Sequence, residues 1–66
     1  MKVLLNGETR EFPDPLTVAG LLDAIGLGER RVAVEVNQAI VPRSAHGTHA
    51  LAAGDKVEVV HALGGG

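Results

Sequence analysis

Few residues in this chain could do covalent chemistry. It has three histidines, one serine and no cysteine. The run His46-Gly47-Thr48-His49 sets two imidazoles three positions apart. A zinc site usually needs three or four protein ligands, and no thiol or adjacent carboxylate completes a set here. Both histidines are therefore expected to be exposed loop residues, and no metal site is predicted. His61 is expected to be a strand residue at the edge of the core. Ser44 follows Arg43 instead of opening a helix in acidic surroundings, which argues against a serine-anchored prosthetic group. Nothing orders serine, histidine and aspartate into a triad. Asp14, Asp23, Glu29 and Asp55 are expected to be solvated turn and helix charges. No residue is predicted to be catalytic.

What remains is the last three residues, Gly64-Gly65-Gly66. Without Cβ atoms they have nothing to pack and the highest backbone entropy of any residue type. The expectation is a carboxylate at Gly66 held out on a thin leash, with Gly64 and Gly65 slender enough to thread a narrow slot in a partner enzyme. Residues 1–63 form the body and residues 64–66 the tail.

Composition bounds that body. At 66 residues there is room for one domain. A chain this short buries roughly 60% of its unfolded surface, so its core is small. Apolar residues make up 45%, yet Phe12 is the single aromatic, so the core must be aliphatic. The net charge is −2, and six Lys and Arg residues are scattered along the chain. With almost no aromatic surface for stacking bases, nucleic acid is not an expected partner. No apolar run approaches the ~18 residues of a membrane span, and the start is too short for a signal peptide. A cytoplasmic protein without a membrane partner is expected.

The elements come in a clear order. Met1 to Asn6 alternates weakly, with Val3 and Leu5 on one face and Leu4 on the other. Asn6-Gly7 signals a hairpin, because both residues tolerate positive φ. Glu8 to Phe12 is the polar returning edge strand, ended by Pro13-Asp14-Pro15. Thr17 suits the N-cap of a helix from Val18, where Val18, Leu21, Leu22 and Ile25 make one apolar stripe. Gly26 suits the left-handed position after it, and Leu27 the apolar contact beyond. About two turns of helix are too short to stand alone and must lie on a sheet. Arg31 to Asn37 alternates as a strand, Asn37-Gln38 offers a turn, and Ala39-Ile40-Val41 returns, closed by Pro42. Ser44 to Ala50 is a crossover loop with at most one helical turn, and Leu51 is its core anchor. Lys56 to Ala62 is the last strand, with Val57 and Val59 on one face and Glu58 and Val60 on the other. Hairpin, helix, hairpin, crossover, strand packs most simply as an α+β fold. Four to five strands form a mixed sheet with one main helix on one face, and the first and last strands pair in parallel at the centre. This is the β-grasp, or ubiquitin-like, arrangement.

The runs Val34-Glu35-Val36-Asn37, Ile40-Val41-Pro42-Arg43, Gly54-Asp55-Lys56-Val57-Glu58-Val59-Val60 and Gly64-Gly65-Gly66 closely resemble the ThiS family of sulfur carriers in thiamin biosynthesis. The resemblance covers nearly the whole chain. Two positions depart from it: Gln38 stands where many relatives have glycine, and His46 where many have an aromatic residue. The first bears on turn geometry and the second on a partner contact.

The resemblance implies that a ThiF-like adenylyltransferase uses ATP to adenylate the Gly66 carboxylate. Sulfur from a cysteine-desulfurase persulfide, direct or relayed, then replaces AMP and gives a terminal thiocarboxylate. That sulfur passes to a ThiG-like thiazole synthase. The chemistry suits the residues. An ionised carboxylate is a poor electrophile and needs a leaving group, and the chain has no phosphate-binding glycine loop with which to supply one. It would be a monomeric co-substrate with no bound cofactor, not an enzyme. With no cysteine, the sulfur cannot ride on a side-chain thiol. Leu4, Val60 and Leu63 are expected to belong to the surface that docks on the partner enzymes. Three other functions fit a β-grasp body: a ubiquitin-like protein modifier, a molybdopterin-type sulfur carrier, and a binding domain with an inert tail. Lys2 and Lys56 are the only lysines, which argues against chain-forming ubiquitin. Molybdopterin-type carriers tend to be longer, and the Val41-Pro42-Arg43 stretch is more similar to ThiS.

Overall fold

The computed structural model of the chain describes residues 1–61. The expected tail, Leu63 and Gly64 to Gly66, lies outside them. Strand β1 (Lys2–Leu5) turns into β2 (Glu8–Glu11), followed by helix α1 (Val18–Ala24). A second hairpin, β3 (Val32–Val36) and β4 (Ala39–Val41), leads through a 3-10 turn (Arg43–Ala45) to β5 (Lys56–His61). The sheet order is β2-β1-β5-β3-β4. β1 and β5 pair in parallel, and the other neighbours are antiparallel. The expected β-grasp is the observed fold.

Both hairpins turn on two residues of positive φ: Asn6 (49°) with Gly7 (84°), and Asn37 (51°) with Gln38 (73°). Such turns carry the twist that antiparallel strands need. The first uses Asn-Gly, which costs little. The second forces an ordinary side chain into the left-handed region, at roughly 1–2 kcal/mol. The Asn37 carboxamide offsets part of this. Its Nδ2 donates to Asp55 Oδ1 (3.0 Å), and its Oδ1 accepts from the Lys56 amide (3.0 Å). Asp55 Oδ2 also accepts from the Ala52 amide (2.8 Å). Asp55 therefore ties two turns together and is not the merely solvated charge expected.

Helix α1 has only seven residues, and almost all its terminal groups find partners. At its start Thr17 caps with Oγ1, which accepts from the Gly20 amide (3.0 Å). The Val18 amide donates to His49 O (3.0 Å) and the Ala19 amide to His46 O (2.8 Å). These carbonyls come from the crossover between β4 and β5. The Leu51 amide donating to Leu16 O (2.8 Å) and a bridge between Thr17 and Ala50 complete the seam. At its end the Gly26 amide donates to Asp23 O (3.1 Å) and the Leu27 amide to Leu22 O (2.8 Å). That is the paired bonding of a Schellman stop, with Gly26 at φ 83°.

The helix lays Val18, Leu21 and Leu22 on the inward valines of the sheet, Val3, Val34, Val57 and Val59, together with Leu5 and Val36. Leu51 anchors the crossover in the same core, as expected. Leu16, Phe12 and Val41 also join it, and Ile25 packs at its margin. The segment between β4 and β5 departs furthest from expectation. Most of it is exposed, as expected of a loop, but His46 is not a free surface histidine. His46 is buried, 9% exposed, and its Nε2 lies 3.1 Å from Val41 O. A carbonyl only accepts, so Nε2 carries the proton. The His46 carbonyl also caps the helix, through the Ala19 amide.

The Gln38 turn gives a stability prediction. Gln38→Gly removes the left-handed penalty and restores about 0.5–1 kcal/mol of unfolded-state entropy cost. Urea unfolding should show a net gain of about 0.5–1 kcal/mol. A loss of stability would mean that the Gln38 side chain holds the turn by some contact of its own.

Candidate functional site

One face of the sheet is covered by α1 and the other is open. Side-chain alternation along β5 sends Val57 and Val59 into the core and Lys56, Glu58 and Val60 to the open face. Register then fixes each neighbour. Leu4 lies across from Lys56, Glu35 across from Glu58, and Ala33 across from Val60. In the second hairpin Ile40 lies across from Glu35. The open face thus reads in three steps along β5: Leu4 and Lys56, then Glu58, Glu35 and Ile40, then Val60 and Ala33.

This arrangement separates two residues expected to act together. Lys56 precedes Val60 by four strand residues, about 13 Å along the strand. Leu4 is half-buried at one end, and Val60 is 63% exposed at the other. The other large exposed hydrophobic residue among those described is Ile40, at 74%. Ile40 sits one strand step from the Ala33–Val60 pair, on the same face. It had no functional assignment from sequence. A signal for it existed: a two-residue turn at Asn37-Gln38 pairs Glu35 with Ile40, and Glu35 must face outward when Val34 and Val36 face inward.

Between Ile40 and Val60 the open face carries two carboxylates directly opposite each other, Glu35 and Glu58. Like charges so placed repel modestly in the free protein. A cationic side chain laid over them would relieve that repulsion. The face therefore suits a partner that presents apolar groups around a positive charge.

Val60 and His61 are the last described residues of β5 and lead directly toward Leu63 and the glycines. His61 lies across from Val32 and is exposed beyond the end of the core. Leu63, the third expected docking residue, lies outside the described residues, as do Gly64, Gly65 and Gly66. His46 does not reach this face: its ring is turned to Val41 O inside the crossover. The ring is therefore largely withdrawn from solvent. Among the described residues, no three of the metal-ligating side chains come together. No helix there is long and apolar enough to cross a membrane.

The family model for ThiS matches residues 3–66. The chain belongs to the ThiS family. ThiS proteins are small sulfur carriers of thiamin biosynthesis, and the fold agrees. The crystal structure of the thiamine biosynthesis protein ThiS from Geobacter metallireducens superposes with a TM-score of 0.85 at 30% identity, over the full length of both chains. A thiazole synthase from Paramagnetospirillum magneticum is 47% identical over 66 residues, and one from Magnetococcus marinus is 44% identical. The match takes in all of this ThiS chain but only 20% of each synthase. The uncharacterized protein ycf40 of Porphyra purpurea is 33% identical over 93% of its length.

If Val60 and Ile40 are exposed for a partner, the fold should not need them. Val60→Thr and Ile40→Thr keep the β-branch and remove only apolar surface already in water. Together they should change unfolding free energy by no more than about 0.5 kcal/mol. A loss several times larger in urea titration would assign these side chains to stability.

Proposed function

We propose that this ThiS protein is the co-substrate, and not the catalyst, of a sulfur transfer that takes place at its Gly66 carboxylate. A ThiF-like adenylyltransferase binds the open face. The carboxylate attacks the α-phosphate of ATP, and pyrophosphate leaves, giving an acyl adenylate. The terminal sulfur of a persulfide, made by a cysteine desulfurase and delivered directly or by a relay, displaces AMP. A second thiol cleaves the resulting acyl disulfide and releases the thiocarboxylate. Every thiol in these steps belongs to a partner, because this chain has none.

The thiocarboxylate then serves a ThiG-like thiazole synthase, which takes its sulfur for the thiazole ring. The observation that carries this reading is the family match, which runs through all three terminal glycines. The synthases that contain a segment like this chain support the choice of acceptor. The open face supports the docking step. Val60, on the strand that leads toward the reactive end, and Ile40, on β4, are apolar anchors beside an acidic pair. Leu4 and Leu63 extend that surface in this proposal. Such complexes must form and part on each cycle, so modest interface area suits them better than a permanent seam.

The test is ATP–pyrophosphate exchange catalysed by a ThiF-like enzyme in the presence of this protein. Wild type should support exchange. Deleting Gly66 shortens the reach by up to ~3.5 Å, and Gly65→Val narrows the allowed backbone angles and adds bulk. A displacement of about 1 Å can cost ~100-fold in a near-attack geometry. Both variants should therefore lose exchange while their melting temperatures stay near wild type. Exchange at the wild-type rate in both would remove the terminal carboxylate from the mechanism.

A further inference from the structure

Strand β5 is held unequally on its two sides. Toward β3 it is paired along nearly its whole length, from Val57 to His61. Toward β1 the ladder covers only Lys56 and Val57, because β1 ends at Leu5 and the chain turns away through Asn6-Gly7. Beyond that point one residue takes over. The Asn6 amide donates to Val57 O (2.9 Å). Its side chain then reaches one step further along β5. Oδ1 accepts from the Val59 amide (2.8 Å), and Nδ2 donates to Val59 O (3.3 Å). The carboxamide carries a donor and an acceptor, as a peptide unit does, and it completes the ladder where the main chain has already left.

We infer that Asn6 is a positioning residue for the reactive end, an inference that rests on the function proposed above. It supplies the last described tie on the β1 side of β5, two residues before the end of that strand. Without it Val59, Val60 and His61 hang from β3 alone. A strand held on one side is free to twist about that side. Any such twist moves the point from which the chain leaves β5. Ile40 on β4 and Leu4 on β1 lie outside this segment, and Val60 keeps its apolar side chain, so docking would suffer less than the aim of the carboxylate. Asn6 thus acts more on the chemical step than on recognition. A single residue type serves two ends here. Asparagine tolerates the positive φ of the turn, and its amide mimics a backbone unit.

The turn makes the test clean. Asn6→Gly keeps the positive φ and removes only the carboxamide. Asn6→Asp also tolerates the turn and keeps the acceptor for the Val59 amide. It places an oxygen against Val59 O where the donor was. Both are assayed for adenylation by a ThiF-like enzyme, at a temperature where melting curves show full folding. In parallel, nitrogen relaxation reports order parameters for the Val60 and His61 amides. Asn6→Gly should lower kcat about 10-fold or more, with a much smaller change in KM for the carrier. The order parameters of Val60 and His61 should fall while those of Val34 and Val57 hold. Asn6→Asp should lie between Asn6→Gly and wild type in both readouts. Wild-type kcat in Asn6→Gly, or a raised KM with kcat intact, overturns the inference. If the wild-type protein itself is not adenylated, the proposed function fails. Relaxation then still decides the local claim: unchanged order at Val60 and His61 in Asn6→Gly overturns it, and lowered order upholds the strand-holding role.

Discussion

A helix of seven residues cannot persist alone in water, because nucleation costs more than so few internal hydrogen bonds return. The rest of this structure depends on how that helix is held. Its apolar stripe covers the inward valines of the sheet, which a chain with one aromatic residue needs for any core at all. Its first amides are met by Thr17 Oγ1 and by the carbonyls of His46 and His49. Those carbonyls come from a crossover far along the chain. The helix therefore fixes the crossover, the crossover delivers β5 to the centre of the sheet, and β5 points the chain toward its end.

This division of labour accounts for the two faces of the sheet. One is spent on the core, where Val3, Val34 and Val57 are almost wholly buried. The other carries charges and, among the described residues, the two large hydrophobic ones left in water, Ile40 and Val60. A sulfur carrier needs both arrangements. It must stay folded with little core, and on the proposed function it must also offer partner enzymes a surface that binds without holding.

Sequence reasoning succeeded wherever the determinant is local. Asn6-Gly7 and Asn37-Gln38 have the positive φ values expected of two-residue hairpin turns. Thr17 caps, Gly26 stops the helix, and Leu51 anchors the crossover. Valine alternation places the correct faces of β3 and β5 inward. It failed where the determinant is a distant partner. His46 lies in a segment held by its carbonyl meeting the Ala19 amide, a contact between segments with no shared period. Leu16 and Asp55 are fixed by the same kind of long-range bond, to Leu51 and to Asn37. Ile40 is a different case. Its outward position is a consequence of hairpin register, which a three-residue strand is too short to display by its own alternation.

The claim that the body exists to present a terminal carboxylate for sulfur loading is open to one direct measurement. The protein is incubated with a ThiF-like enzyme, ATP, a cysteine desulfurase and cysteine, and its intact mass and C-terminal fragments are then read. The account predicts a mass gain equal to the exchange of one oxygen for sulfur, located on Gly66 and absent when ATP is withheld. An unchanged mass under conditions that load an authentic carrier, or sulfur placed anywhere but Gly66, would contradict it.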